Sequence, residues 1–330
     1  MGIRIVGNSH RLGSYRESNE ELCANLDVDA DWIVQKTGIK QRYLVSADEG
    51  ASDLAQEVAE KALIKSGIAP TDVDLIICCT FSNDYSYPAL AAKIHKSVGA
   101  KRECQTFDLQ ANCAGFVAGL SVASDLLTAS DDMCVAVVIG VEINSAFIDR
   151  TDKESCIYMS DGAAAIVLKK SDKYGTSGKI ASAFDTDSST YEAVRLKYGG
   201  SRHSDPNRVK DGSIRPFMEM NGIATWKQAV TLLPKNIKRC VGQANINLAD
   251  IDNVFFHQAN KNMIEYIMKK LKLDEAKTYI NVDEVGNTGA ASVGIALSEY
   301  LTSNNIEPGS TILFSAVGAG FNFGSVVWRW

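Results

Sequence analysis

The chain repeats itself, and a repeated unit restricts the fold to architectures that can be built twice and packed together. Gly67-Ile-Ala-Pro-Thr-Asp-Val-Asp-Leu-Ile-Ile77 resembles Asn245-Ile-Asn-Leu-Ala-Asp-Ile-Asp-Asn-Val-Phe255. Each follows a segment of helical periodicity and runs into an apolar stretch of strand length. In the first half Leu54, Val58 and Ala62 share one helical face behind Asp53, a residue suited to cap the helix. The counterpart helix is predicted from Ala224 to Gly242. Further on, Asn112-Cys113-Ala-Gly-Phe-Val-Ala-Gly119 faces Asn287-Thr288-Gly-Ala-Ala-Ser-Val-Gly294, each a polar turn opening a helix rich in small residues. An apolar strand follows each, Val135–Ile139 and Thr311–Ala316. The pattern predicts two α/β halves, residues 1–172 and 173–330, divided near the polar stretch Ser171–Lys179. Gly199–Gly212, polar and glycine-rich, reads as a surface loop.

Composition supports a globular chain. Hydrophobic residues make up 45% and charged residues 22%, ordinary values for a protein with a large core. A net charge of −6, from 34 basic and 40 acidic residues, leaves no basic excess to neutralise phosphates, which argues against nucleic acid as a partner. The longest apolar run, Met133 to Val141, is far shorter than the roughly 18 residues that suggest a membrane span. The N-terminus reads as a short strand entering a turn, without the features of a signal peptide. Eight cysteines with no CxxC pair point to reduced thiols in a cytoplasm. The four histidines, at 10, 95, 203 and 257, lack metal-ligand spacing, so no metal is expected.

An α/β sheet binds ligands beyond the carboxyl ends of its strands, and in a duplicated chain the corresponding loops should meet at the seam. Three reactive positions lie on such loops: Cys113, His257 and Asn287. Cys113 sits where a turn meets a helix N-terminus, which should make its thiolate easier to form than at the free pKa of roughly 8.5. His257 ends the apolar strand Asn253–Phe256, where α/β enzymes place catalytic groups. Each has a structural alternative. A buried cysteine can be inert, a core histidine can satisfy a backbone carbonyl, and Asn287 taken alone suits a helix cap.

Six segments carry a family resemblance: Asp31–Arg42, Asp108–Phe116, Ser160–Ala163, Phe256–Asn260, Gly286–Ser292 and Gly318–Gly324. In order and spacing they resemble the β-ketoacyl-acyl-carrier-protein synthase III family of the thiolase-like superfamily. The resemblance implies a duplicated thiolase-like fold, a five-layered α-β-α-β-α sandwich. It implies that Cys113 is acylated by a thioester, usually acyl-CoA, and that His257 and Asn287 act in decarboxylative condensation with malonyl-acyl-carrier protein. Backbone N–H groups of Cys113 and Ala319 would form the oxyanion hole. It further implies acyl carrier protein as partner, a homodimer, and no metal or nicotinamide.

The resemblance also assigns peripheral residues, with departures. Trp32, Lys36, Lys153, Gly222 and Asn260 fall at CoA and pantetheine positions, but both lysines stand where arginine is common. Lysine lacks arginine's planar fork, so stacking and phosphate contacts should weaken. Ile223 replaces an asparagine that contacts the pantetheine arm. Tyr87, Met159 and Met220 fall at acyl-pocket positions, Tyr87 on the loop that closes the pocket of a partner subunit. Lys261, Lys269 and Lys270 follow His257 and offer a basic surface for carrier-protein docking, although Asn262 takes the place of the usual arginine. Asn112, before the nucleophile, stands where alanine is common. A same-fold acyltransferase working without decarboxylation is the competing activity. A cysteine hydrolase and a dinucleotide site at Gly318-Ala-Gly320 lack their local sequence signatures.

Overall fold

The computed structural model describes all 330 residues. Two sheets fall either side of residues 172–177. The first has strand order Gly2–Leu12, Gly162–Ser171, Val135–Glu142, Leu75–Cys79, Gln105–Leu109. The last three run parallel and the first two are antiparallel additions. The second has order Asn253–Phe256, Thr311–Gly318, Asn322–Arg329, Gly178–Thr186, again parallel at one side and antiparallel at the other.

Side-chain alternation in the buried strands divides the core into layers. Leu75, Ile77 and Cys79 face the helices Gly115–Ala129 and Ser292–Ser303, through Phe116, Leu120, Val293 and Leu297. Phe255, Phe314 and Trp328 reach the same helices from the second sheet. On the opposite face of the first sheet, Ile76 and Cys78 pack against Ala51–Ser66 and Leu90–Val98. The outer face of the second sheet packs, through Val254, Phe256 and Leu313, on Gly222–Gln243 and Lys261–Leu271. The layers are therefore helix, sheet, helix pair, sheet, helix: the predicted five-layered α-β-α-β-α sandwich. Residues Asn112–Ala129 are long and apolar enough to cross a membrane on composition alone. Their glycines, alanines and serines instead let both sheets close on them.

Several expectations need correction. The N-terminal strand is no short strand entering a turn but eleven residues long, with a bulge between Ile5 and Gly7. Gly7 is required there because a Cβ would collide with the Ala62 carbonyl of the overlying helix. Gly50, not Asp53, caps helix Ala51–Ser66; Asp53 sits one turn in and accepts the Gly50 N–H at 2.8 Å. The counterpart helix starts two residues early, at Gly222, with Asn221 as its cap. The Gly199–Gly212 loop carries a short helix, Asn207–Lys210. The register of the internal repeat also differs. Gly67 and Asn245 match, both left-handed at φ +68° and +55°. Asn112, however, corresponds to Gly289 and not to Asn287. Both are left-handed, at φ +49° and +56°, and each opens a 3-10 turn leading into a central helix.

Candidate active site

Cys113 lies in the 3-10 turn Asn112–Ala114, between the strand Gln105–Leu109 and the central helix Gly115–Ala129. Its surface is partly accessible. Burial nonetheless pushes the thiol up to about 12, the Glu142 carboxylate adds to the rise, and only its own turn N–H opposes it. The expected easing of thiolate formation is thus overturned: desolvation outweighs the helix terminus. Glu142 is itself fully buried, and burial drives its carboxyl far above the usual carboxylate range against hydrogen bonds from Ser82 and Phe81.

His257 ends the strand Asn253–Phe256, its main-chain N–H held by the Ser315 carbonyl at 2.8 Å. Nδ1 lies 2.7 Å from Ser292 Oγ, at the head of the second central helix. Ser292 Oγ also receives the Gln258 N–H at 3.3 Å. Burial lowers the imidazole to about 4, so the ring is neutral at pH 7. Asn287 is fixed at both ends. Its N–H donates to the Tyr158 carbonyl, and its carbonyl accepts from Ser160 N–H and Asn144 Nδ2. Its side-chain Oδ1 accepts the Gly289 N–H at 2.9 Å. That bond orients the amide, leaving Nδ2–H without a protein acceptor.

Two turns and two helix heads bring these groups together. The Cys113 turn packs on the turn Gly289–Ala291, where a Cβ on Gly115 would stand 3.5 Å from the Ala290 Cβ. Asn287 leads into that same turn, and the helix beyond it carries Ser292 and so His257. From the second sheet, Gly318 crosses the Cys113 turn so closely that a Cβ would collide with the Ala111 carbonyl and lie 3.1 Å from Cys113 N. No main-chain carbonyl accepts the Cys113 N–H or the Ala319 N–H. The expected nucleophile, imidazole, carboxamide and pair of N–H groups therefore share one junction between the halves.

Comparison with known proteins identifies the family. Residues 107–188 match the family described as 3-oxoacyl-[acyl-carrier-protein (ACP)] synthase III, and residues 241–330 match its C-terminal part. The chain is 36% identical to a β-ketoacyl-[acyl-carrier-protein] synthase III of Bordetella petrii, over 98% of this chain and 97% of the relative. The chain belongs to the β-ketoacyl-acyl-carrier-protein synthase III family. A second relative of that name, from Rickettsia rickettsii, is 35% identical over the full length of both chains. The crystal structure of the Aquifex aeolicus 3-oxoacyl-[acyl-carrier-protein] synthase III superposes with a TM-score of 0.89, at 28% identity and full coverage of both chains.

Residues assigned to the periphery of a synthase III site fall into distinct groups. Lys36 Nζ lies 4.6 Å and Lys153 Nζ 5.9 Å from the centre of the Trp32 ring, so two cations share one indole. Lys36 also meets Glu154 at 3.3 Å, and Gly222 lies beside the same glutamate. Asn260 is buried and spends its Oδ1 on capping the next helix, at Met263 N–H. Met159 bridges to Asn287, and Met220 ends the short strand Met218–Met220. Tyr87 is 87% exposed. The three lysines divide. Lys269 is exposed, and Lys261 faces Asp283 at 3.7 Å. Lys270 donates to the Val230 carbonyl at 2.8 Å, the acceptor that Pro234 leaves without a helical partner. Lys270 nonetheless remains exposed, as Lys269 is.

Roles missed by sequence reasoning belong to polar residues that hold others. Ser292 was inside a recognised motif, without a role. Asp161 accepts from Val45 and Ser145 and so staples the Ser160–Ala163 segment. Glu142 carried no sequence signal beyond a carboxylate closing an apolar strand.

Proposed function

We propose that this chain is a condensing synthase that loads an acyl group onto Cys113 and joins it to malonyl-acyl-carrier protein with loss of CO₂, giving a 3-oxoacyl product. The observation that carries this is the meeting of Cys113 with His257 and Asn287 at one junction of the two halves. In the first step the Cys113 sulfur attacks the thioester carbonyl. A carbon–sulfur bond to Cys113 forms, the bond to the donor sulfur breaks with the Cys113 thiol proton passing to that leaving sulfur, and the N–H groups of Cys113 and Ala319 receive the transient oxyanion. In the second, the thioester oxygen of the malonyl group takes hydrogen bonds from His257 Nε2–H and Asn287 Nδ2–H as CO₂ departs. The resulting carbanion attacks the acyl carbon and expels the Cys113 thiolate.

The neutral imidazole suits this step, provided its proton sits on Nε2. Ser292 supplies that condition by donating Oγ–H to Nδ1. The scheme requires neither metal nor nicotinamide. Trp32, Lys36 and Lys153 would hold an acyl-CoA donor, more loosely than an arginine clamp. Tyr87, turned outward, suits donation to the pocket of a second copy in a homodimer. Lys261 and Lys269 are the cations offered to an acidic carrier protein, with the cytoplasm as the setting.

Intact-protein mass spectrometry tests the first step. Exposure to a panel of acyl-CoAs should add one acyl mass to the wild type and none to Cys113→Ala. Malonyl-carrier protein should then discharge it as a 3-oxoacyl thioester. An acyl mass in the alanine variant would refute the assignment.

A further inference from the structure

Asn112 is left-handed at φ +49°, a conformation that glycine adopts freely and asparagine tolerates. Its counterpart in the second half, Gly289, meets the same backbone demand with no side chain. The first half therefore carries a side chain where the backbone does not ask for one. That side chain reaches across the seam: Asn112 Nδ2 donates to the Ala319 carbonyl at 2.9 Å. The other donor to that carbonyl, Asn322 Nδ2, is 3.5 Å away. Beside the tie, Gly318 already presses on the Cys113 turn, 3.0 Å from Ala114 N and 3.1 Å from Cys113 N when a Cβ is placed on it.

We propose that Asn112 is a positioning residue: its amide locks the Gly318–Gly320 turn of the second half to the nucleophile turn of the first, setting the spacing of the Cys113 and Ala319 N–H groups. The assignment rests on the reading of Cys113 as the acylated residue. Asn112 touches no reacting atom. Its effect falls on the tetrahedral oxyanion, which exists during acylation and not during simple alkylation of the thiol. This separates positioning from general damage, because displacement of iodide from iodoacetamide by Cys113 forms no oxyanion.

The test compares wild type, Asn112→Gly and Asn112→Ala by rapid-quench mass spectrometry with acyl-CoA, and in parallel with iodoacetamide. Asn112→Gly keeps the left-handed backbone and loses only the tie. Its acylation at saturating acyl-CoA should slow about tenfold, with half-saturation and alkylation unchanged within about twofold. Asn112→Ala adds strain and should acylate more slowly still. Wild-type acylation in Asn112→Gly, or equal losses in acylation and alkylation, would overturn the proposal. A wild-type enzyme that is alkylated at Cys113 but never acylated would instead overturn the reading beneath it.

Discussion

Burial sets the resting charge of both reacting side chains, and each carries a pH signature. With its thiol held up to about 12, Cys113 should be alkylated by iodoacetamide at a rate still rising through pH 9, where an unperturbed cysteine of pKa roughly 8.5 would be levelling off. A plateau below pH 8 would contradict the resting neutral thiol. His257 is lowered from 6.5 to about 4, so between those values the unfolded chain binds a proton that the folded one does not. Stability is thus lost as pH falls from 6.5 toward 4. Urea titrations should show wild type losing ground to His257→Gln as pH drops from 7 to 5, and a pH-independent difference would refute it. Ser292 is the lever on His257. In Ser292→Ala the tautomer is no longer specified, and condensation should fall on the order of tenfold, while acylation of Cys113 stays near the wild-type rate. Equal loss of both steps would remove its assigned role.

At the scale of elements, helix Gly222–Gln243 and helix Lys261–Leu271 are joined by the lysine that answers a proline. Removing it in Lys270→Ala leaves the Val230 carbonyl unpaired and should cost about 1 kcal/mol, read as a lower Tm, with carrier-protein KM unchanged. Charge reversal at Lys269, which has no partner, should raise that KM several-fold and leave Tm alone. The opposite pattern would place docking at Lys270. The sequence pattern found the first of these helices and the strand Asn253–Phe256, because helical spacing and apolar runs are local properties. Their ends were less legible. Helix Leu90–Val98 has alanine at its cap position and is capped by Asp108 from the strand Gln105–Leu109, a pairing made only in three dimensions. The repeat was read two residues out of register near Asn287 because asparagine matched asparagine. The backbone, which matches left-handed position to left-handed position, pairs Asn112 with Gly289.

For the whole molecule, duplication explains why residues so distant in sequence lie together. Each half starts its central helix at the seam, and the small residues Gly115, Gly140, Gly294 and Gly318 let four backbones converge there. The motif residues Cys113, His257 and Asn287 were legible because chemistry restricts the types that can fill those places. Electrostatics was not legible: the sequence places Cys113 at a helix N-terminus, and only packing shows that desolvation prevails. Nor was the tie from Asn112 to Ala319, which needs the fold to bring the two turns within reach.

The account requires that the second half acts on an acyl group held by the first. The direct measurement is to load Asn287→Ala with acyl-CoA, confirm the acyl mass on Cys113, and add malonyl-carrier protein. The account predicts that the variant stays acylated and yields 3-oxoacyl product at least about a hundredfold more slowly than wild type. Product formed at the wild-type rate would contradict it.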